Sequence, residues 1–253
     1  MSQADIPKET RRPFYKRDPI TTPLLVLLVY FASQVGAGLL VSLYPTLKNW
    51  TSEQGTAWLQ ESLSGQFIFY LLAELFVVWM VLGLIKGIKV SRAKIGLVWP
   101  KLKHALYMFG GYAVYFLVFI TVASLASGIV DGEQQQQIGF DAAVGGQLWL
   151  VFISLVILPP IAEEILFRGF LFTSLRQKYK FLGSAIATSV LFGIAHLQFG
   201  TGAPPLWIAA IDTFVLSMVL CYLREKTGSL GASIGLHALK NLIAFVVLFH
   251  DKF

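Results

Sequence analysis

Charge and cysteine are scarce in this sequence. Asp, Glu, Lys and Arg make up 13% of its 253 residues, against about 25% in an ordinary soluble domain. The single cysteine, Cys221, excludes a disulfide within the chain. A CxxC pair, an HExxH zinc motif, a Gly-rich phosphate loop and an internal repeat are also absent. These absences argue against disulfide-stabilised, nucleotide-binding and repeat proteins.

Hydrophobic residues make up 56% of the sequence and fall into long runs. A helix needs about 20 apolar residues to cross the roughly 30 Å hydrocarbon core of a bilayer. The candidate runs are 23–43, 66–85, 105–127, 148–175, 182–197, 206–223 and 230–249. The first run is too long for a signal-peptide core and lacks a small-residue cleavage site, so we expect it to be retained. The sequence therefore predicts an all-α, polytopic membrane bundle of about seven transmembrane helices.

The fourth run is too long for one straight crossing of the membrane. Pro159 and Pro160 interrupt it, and proline is tolerated mainly in the first turn of a helix. We therefore expect a kink, followed by a second helical piece that starts near Pro160. A further helix could lie within residues 50–65.

The basic residues indicate the topology. Segments 1–22 and 86–103, with the loops after residues 175 and 223, carry most of them, whereas the opposite side receives only Lys48 and Lys252. The positive-inside rule therefore places the N-terminus in the cytoplasm. Segment 128–146 is acidic without Lys or Arg, so we expect it outside. Because the net charge of +6 lies in short loops rather than on one face, no nucleic-acid partner is expected.

Polar residues recur inside the C-terminal apolar runs. Three pairs are spaced four residues apart, on one helix face each: Glu164 with Arg168, Phe192 with His196, and His237 with Asn241. Counted at about 1.5 Å per residue from the nearest cytoplasmic basic residue, the Glu, His and Asn groups lie roughly 16 to 24 Å deep. Ionisable groups at such depth are costly and usually functional. We therefore expect three helices to deliver polar groups to a similar level.

The adjacent glutamates Glu163 and Glu164 point about 100° apart on a helix, so we expect different roles for them. Glu164 has Arg168 as a counter-charge one turn away and is predicted to orient or support the site. Glu163 lacks that neighbour and is predicted to act as a general base on water, with His196 sharing the proton or positioning the water.

Three other ionisable residues lie in the apolar runs without belonging to these motifs. Glu74 and Asp212 are intramembrane carboxylates, and Lys240 lies on a different helix face from Asn241. An ion pair between Lys240 and either carboxylate is conceivable.

The motifs EExxxR, FxxxH and HxxxN, in this order on successive membrane segments, resemble the CAAX protease and bacteriocin-processing family. That family includes type II CAAX prenyl endopeptidases and lysostaphin-resistance-like proteins. The resemblance covers residues 148–249, whereas the first three helices match nothing specific. It divides the chain into a cytoplasmic tail (1–22), a variable region of about three helices (23–147) and a catalytic core (148–253), with the active site between the C-terminal four helices.

The resemblance implies a multi-pass intramembrane endopeptidase of a prokaryotic plasma membrane. In that interpretation the residues matching Glu163 and His196 activate water, and those matching His237 and Asn241 form the oxyanion site. Supporting roles fall to three residues: Glu164, Arg168 and Phe192. No cofactor is implied. The expected partners are the bilayer and a peptide or protein substrate in the membrane, lipidated or not, and the oligomeric state is left open.

Three alternatives use the same residues differently. Glu163, His196 and His237 could ligate a catalytic zinc ion with an open position for water. Buried Glu, His and Arg groups could also serve a proton-coupled transporter with a helix broken at Pro159 and Pro160. A non-catalytic immunity or scaffold protein would keep the fold without hydrolysis. A Glu163→Ala variant with full biological activity would favour that last alternative.

The first testable prediction concerns topology. A cysteine introduced as Gln135→Cys should react with a membrane-impermeant maleimide added outside the cell, because segment 128–146 is expected on that face. A cysteine placed within segment 86–103 serves as the control and should be shielded. Labelling of position 135 only from the cytoplasmic side would overturn this topology.

Overall fold

The chain forms a bundle of α-helices, as predicted, in a computed structural model that describes residues 21–128, 139–197 and 205–253. Within these ranges there are eight helices and no β-strand. The helices are α1 (Thr21–Leu47), α2 (Ser52–Glu61), α3 (Leu63–Gly87), α4 (Lys103–Ala126), α5 (Gly145–Leu175), α6 (Phe181–Ala195), α7 (Trp207–Thr227) and α8 (Gly231–Phe249). Most of the predicted N-terminal tail and of the predicted external loop lies outside the described residues.

Six of the described helices are long and apolar enough to cross a membrane: α1, α3, α4, α5, α7 and α8. The remaining predicted span, 182–197, corresponds to α6, which is apolar but only 15 residues long. At about 1.5 Å per residue it reaches roughly 22 Å, less than the bilayer core. The polytopic membrane bundle is therefore confirmed, with one apolar helix among the described residues that is shorter than the other candidate spans.

The segment between α1 and α3 contains the additional short helix considered above. In α2 the Thr51 side chain accepts a hydrogen bond from Gln54 N (3.2 Å), and the Gln54 side chain accepts one from Thr51 N (2.9 Å). This reciprocal capping satisfies two backbone donors at the helix start. With 10 residues, α2 is too short to span the bilayer.

Helix α5 changes its winding on both sides of the proline pair. Ile153–Ile157 and Glu164–Phe172 are π-helical, and the α-helical turn between them, Leu158–Glu163, begins directly before Pro159. The second helical piece predicted from Pro159 and Pro160 is therefore present. π-Helical turns inside α-helices are frequent at functional sites.

The core is centred on α5. All nine residues of its π-helical segment Glu164–Phe172 are buried. Apolar side chains of α1, α3 and α6 pack around that segment, among them Val26, Val81 and Phe192. Because α5 is enclosed by these helices, its polar residues face protein rather than lipid.

Close packing of α6 against α7 sets the position of the α6 C-terminus. A Cβ atom added at Gly193 would lie 2.9 Å from the backbone carbonyl oxygen of Ala210, whereas one at Gly183 would approach only Tyr179 Cβ, at 3.9 Å. Backbone atoms cannot yield as a flexible side chain can. Only the first of these two glycines in α6 is therefore required for close packing.

Gly193→Ala should destabilise the protein by about 1–3 kcal/mol, because α6 and α7 must separate to admit the methyl group. Gly183→Ala, in the same helix, should cause no loss and a gain of up to about 1 kcal/mol from higher helix propensity. Thermal unfolding in detergent measures both. Equal stability of the two variants would contradict this account of the packing.

Candidate active site

A fully buried ion pair lies at the centre of the site. Arg168 Nη1 donates to Glu164 Oε1 at 2.7 Å, and both side chains are 0% exposed. The spacing of four residues in the sequence predicts this contact, and the structure contains it. The Arg168 guanidinium carbon also lies 4.3 Å from the centre of the Phe192 ring. Removing these charges from water costs free energy, and the cost is tolerable only while both partners of the pair are present.

His237 lies between the two adjacent glutamates. Its Nδ1 is 3.3 Å from Glu164 Oε1, and its Nε2 is 3.9 Å from Glu163 Oε2. An ionised Glu164 carboxylate can only accept a hydrogen bond, so His237 Nδ1 carries the proton in this contact. In a neutral ring Nε2 is then an acceptor that faces Glu163. His237 thus connects the buried glutamate to the accessible one.

The neighbouring glutamates have different surroundings, as their angular separation on a helix predicts. The Glu163 side chain is 18% exposed, whereas that of Glu164 is completely buried. Within the described part of the chain, one carboxylate oxygen of each glutamate, Glu163 Oε2 and Glu164 Oε2, is buried without a hydrogen-bond partner, so the difference between them lies in exposure. Glu163 is therefore the carboxylate that can reach a water molecule or a substrate.

His196 follows the last residue of α6, and its orientation depends on the preceding turn. Its Nδ1 lies 2.8 Å from the backbone carbonyl oxygen of Phe192, which can only accept, so Nδ1 donates and Nε2 is left as an acceptor. The His196 ring lies 4.7 Å from the Phe192 ring, and the His237 ring lies 5.9 Å from it nearly at right angles. Phe192, fully buried, thus separates and positions both histidines.

Asn241 joins α8 to the irregular part of α5. Its Nδ2 donates to the backbone carbonyl oxygen of Leu155 at 2.9 Å. Leu155 lies four residues before Pro159, which has no N–H with which to form a helical hydrogen bond. Asn241 therefore supplies a donor that the proline removes. One N–H of its amide is used in this way, and the other is available to a ligand.

The structure shows what surrounds Glu74, Asp212 and Lys240, the three ionisable residues of the apolar runs that lie outside the motifs. Lys240 Nζ lies 2.9 Å from Asp212 Oδ2, so the pairing considered for Lys240 is made with Asp212. Glu74 on α3 acts electrostatically on Glu163, and so do Arg168 and Lys240. The N-terminal region therefore contributes a carboxylate to a site otherwise built from the C-terminal helices. The signal for Glu74 in the sequence was its position inside an apolar run.

Tyr115 is a site neighbour that sequence reasoning missed. Its hydroxyl group, on α4, donates a hydrogen bond to Asp212 Oδ1 on α7. A tyrosine inside an aromatic-rich membrane helix carries no distinguishing signal, because most such residues pack against lipid or protein.

The described residues contain no group of three or more His, Cys, Asp or Glu side chains placed to hold one metal ion. The zinc alternative, with Glu163, His196 and His237 as ligands, stays a prediction. Within this ligand set, Glu163 and His237 approach to 3.9 Å.

Comparison with known proteins agrees with the resemblance found in the motifs. Residues 145–243 match the family model described as "Type II CAAX prenyl endopeptidase Rce1-like", a range that contains every predicted site residue. The chain is also 32% identical over 140 residues to "Uncharacterized protein YyaK" of Bacillus subtilis (strain 168). That alignment covers 52% of this chain and 44% of the relative, so the chain spans less than half of the relative's length. No solved structure shows a significant match.

Glu164→Gln should destabilise the protein by about 3 kcal/mol, because it leaves the Arg168 cation buried without its counter-charge. The matched control is Glu225→Gln, which breaks a pair with Arg176 whose side chains are 29% and 40% exposed. Its expected cost is below about 1 kcal/mol, since water screens an exposed pair. Unfolding in detergent compares the two variants, and a similar cost for both would rule out the desolvated pair as the centre of the site.

Proposed function

We propose that this membrane protein hydrolyses peptide bonds with a water molecule activated by Glu163, in keeping with the match of residues 145–243 to the Rce1-like family model of type II CAAX prenyl endopeptidases. The observation that carries the proposal is the pair of adjacent glutamates with unlike surroundings. Glu164 is neutralised by Arg168, whereas Glu163 is accessible and faces His237. Such a difference between two carboxylates is what acid–base chemistry requires.

In the proposed reaction, Glu163 removes a proton from water as the water oxygen attacks the peptide carbonyl carbon. His196 orients that water through Nε2, the nitrogen that its contact with Phe192 leaves unprotonated in the neutral ring. The tetrahedral intermediate then breaks its C–N bond, and the proton held by Glu163 passes to the leaving amine. Water is thereby divided between the two products, and Glu163 returns to its starting state.

The negative oxygen of the intermediate needs hydrogen-bond donors. We assign that role to the second N–H of Asn241, since its first is used by Leu155. His237 can contribute Nε2–H when it shares the Glu163 proton across their contact. Both side chains lie on α8, so one helix would present both donors.

The proposed substrate is a peptide or protein segment that enters the membrane, with processing near its C-terminus. The family name refers to prenylated CAAX proteins, and we extend the proposal to other lipidated or small membrane peptides. Neither a metal ion nor nucleic acid takes part. Activity that survives EDTA treatment, with zinc absent by elemental analysis, supports this proposal, whereas loss of activity restored by zinc contradicts it.

Glu163→Gln should abolish turnover while leaving stability near that of the parent, because glutamine keeps the size but cannot act as the base. His196→Ala should behave similarly. Asn241→Ala should lose about 100-fold to 1000-fold in rate, the usual effect of one missing oxyanion donor. Cleavage of a fluorogenic membrane peptide in liposomes measures all three variants.

The control is Glu53→Gln on the exposed face of α2, which should cleave at the parental rate. Thermal unfolding of each variant separates a loss of chemistry from a loss of structure. Parental activity in Glu163→Gln would remove Glu163 as the base, and parental activity in all three site variants would remove the protease proposal.

A further inference from the structure

A polar triad lies beside the catalytic residues and takes no part in the reaction described above. Tyr115 of α4 donates to Asp212 Oδ1 of α7, and Lys240 Nζ of α8 lies 2.9 Å from the other carboxylate oxygen. Three helices thus each contribute one polar group in an otherwise apolar region. Both oxygens of Asp212 are engaged, so the aspartate is fixed in place.

Lys240 is close to the reaction centre. It precedes Asn241 and follows His237 by three residues, about 4.5 Å along the helix axis. Its charge acts on Glu163, His196 and His237. The ammonium of Lys240 therefore belongs to the electrostatic environment of the proposed catalytic residues.

Lys240 differs from the other cation of the site in being accessible. Arg168 is completely buried and held by Glu164, whereas the Lys240 side chain is 23% exposed. An ammonium group has three N–H donors. Within the described residues, Asp212 is its recorded ion-pair partner, which leaves donors for a further acceptor.

Stabilisation of the fold does not account well for the ion pair between Lys240 and Asp212. Replacing a buried ion pair by apolar residues is often neutral or stabilising, so such pairs are weak evidence for stability. Charged residues within the membrane usually serve substrates, ions or protons. An accessible lysine next to an oxyanion donor is suited to bind an anion carried by the substrate.

The depth of Lys240 limits which anion this can be. Lys240 lies nine residues after Gly231, the first residue of α8, which is about 14 Å along the helix axis at 1.5 Å per residue. Lipid headgroups stay at the membrane surface and do not reach that level. A carboxylate on the peptide that enters the active site does reach it.

We propose that Lys240 is a specificity-determining residue that binds the free C-terminal carboxylate of the substrate, with Asp212 and Tyr115 holding the ammonium in position. The inference rests on the proposed protease function. Because Lys240 lies three residues after His237 and so neighbours it on the surface of α8, the bound carboxylate would lie close to the proposed oxyanion site. The enzyme then releases a short C-terminal segment rather than cutting in the middle of a chain.

The test uses two forms of one quenched-fluorophore peptide library without Asp or Glu, anchored to liposomes by an N-terminal palmitoyl chain. One form ends in a free carboxylate and the other in a carboxamide. The parent should prefer the acid form by roughly 30-fold or more in kcat/KM, the usual size of an effect at a desolvated charge pair, mainly through KM. Lys240→Met should bring the ratio close to 1, and Lys240→Arg should retain most of it.

The matched control is Lys252→Met, at the far end of α8, where the lysine donates to the backbone oxygen of Asp141. It should leave the acid-to-amide ratio unchanged. Equal cleavage of both forms by the parent overturns the carboxylate site even if Lys240→Met does not fold. Equal losses on both forms in Lys240→Met show a structural or general electrostatic role and also overturn it.

Failure of the protease function gives a different result. In that case the parent cleaves neither form and is indistinguishable from Glu163→Gln. Cleavage of both forms that depends on Glu163, without preference for the acid, removes only the carboxylate site.

Discussion

The buried ion pair between Glu164 and Arg168 is the constraint on which the rest of the site depends. Two charges withdrawn from water are tolerable only while each stays within reach of the other. The guanidinium also lies against the Phe192 ring, and Phe192 in turn contacts both histidines. Moving the pair would therefore also move both histidines that the proposed reaction uses.

A second constraint comes from the backbone. In lipid every carbonyl and amide must find a partner within the protein. The proline pair of α5 removes two donors, and Asn241 replaces one of them at Leu155. This bond fixes the height of α8 against α5. Asn241, the proposed oxyanion donor, is thus held by a backbone carbonyl that lacks its helical donor in α5, the helix that also carries Glu163.

Much of the fold could be predicted from the sequence, because lipid imposes simple length and polarity rules. Hydrophobic runs located the long helices, and α6 was placed at 182–197 against the observed Phe181–Ala195. Local spacing also predicted the contact of Glu164 with Arg168. Even α2 had a readable signal in Thr51 and Gln54, a capping pair three residues apart.

The contacts between distant segments could not be predicted in the same way. His237 meets Glu164 across 73 residues, and Asn241 meets Leu155 across 86. Periodicity along one helix says which face a residue occupies but not which helix it faces. For this reason Asn241 was predicted only as an oxyanion donor, whereas its bond to the backbone of α5 became visible in the structure.

The charge balance of the site links these observations to catalysis. Among the described residues around Glu163 and the histidines, four carboxylates (Glu74, Glu163, Glu164 and Asp212) face two permanent cations (Arg168 and Lys240). Full ionisation would leave two negative charges uncompensated in a medium of low dielectric constant, which is strongly unfavourable. In the proposed reaction Glu163 takes a proton from water and later delivers it to the leaving amine, so negative charge moves from the carboxylate to the oxyanion and back again.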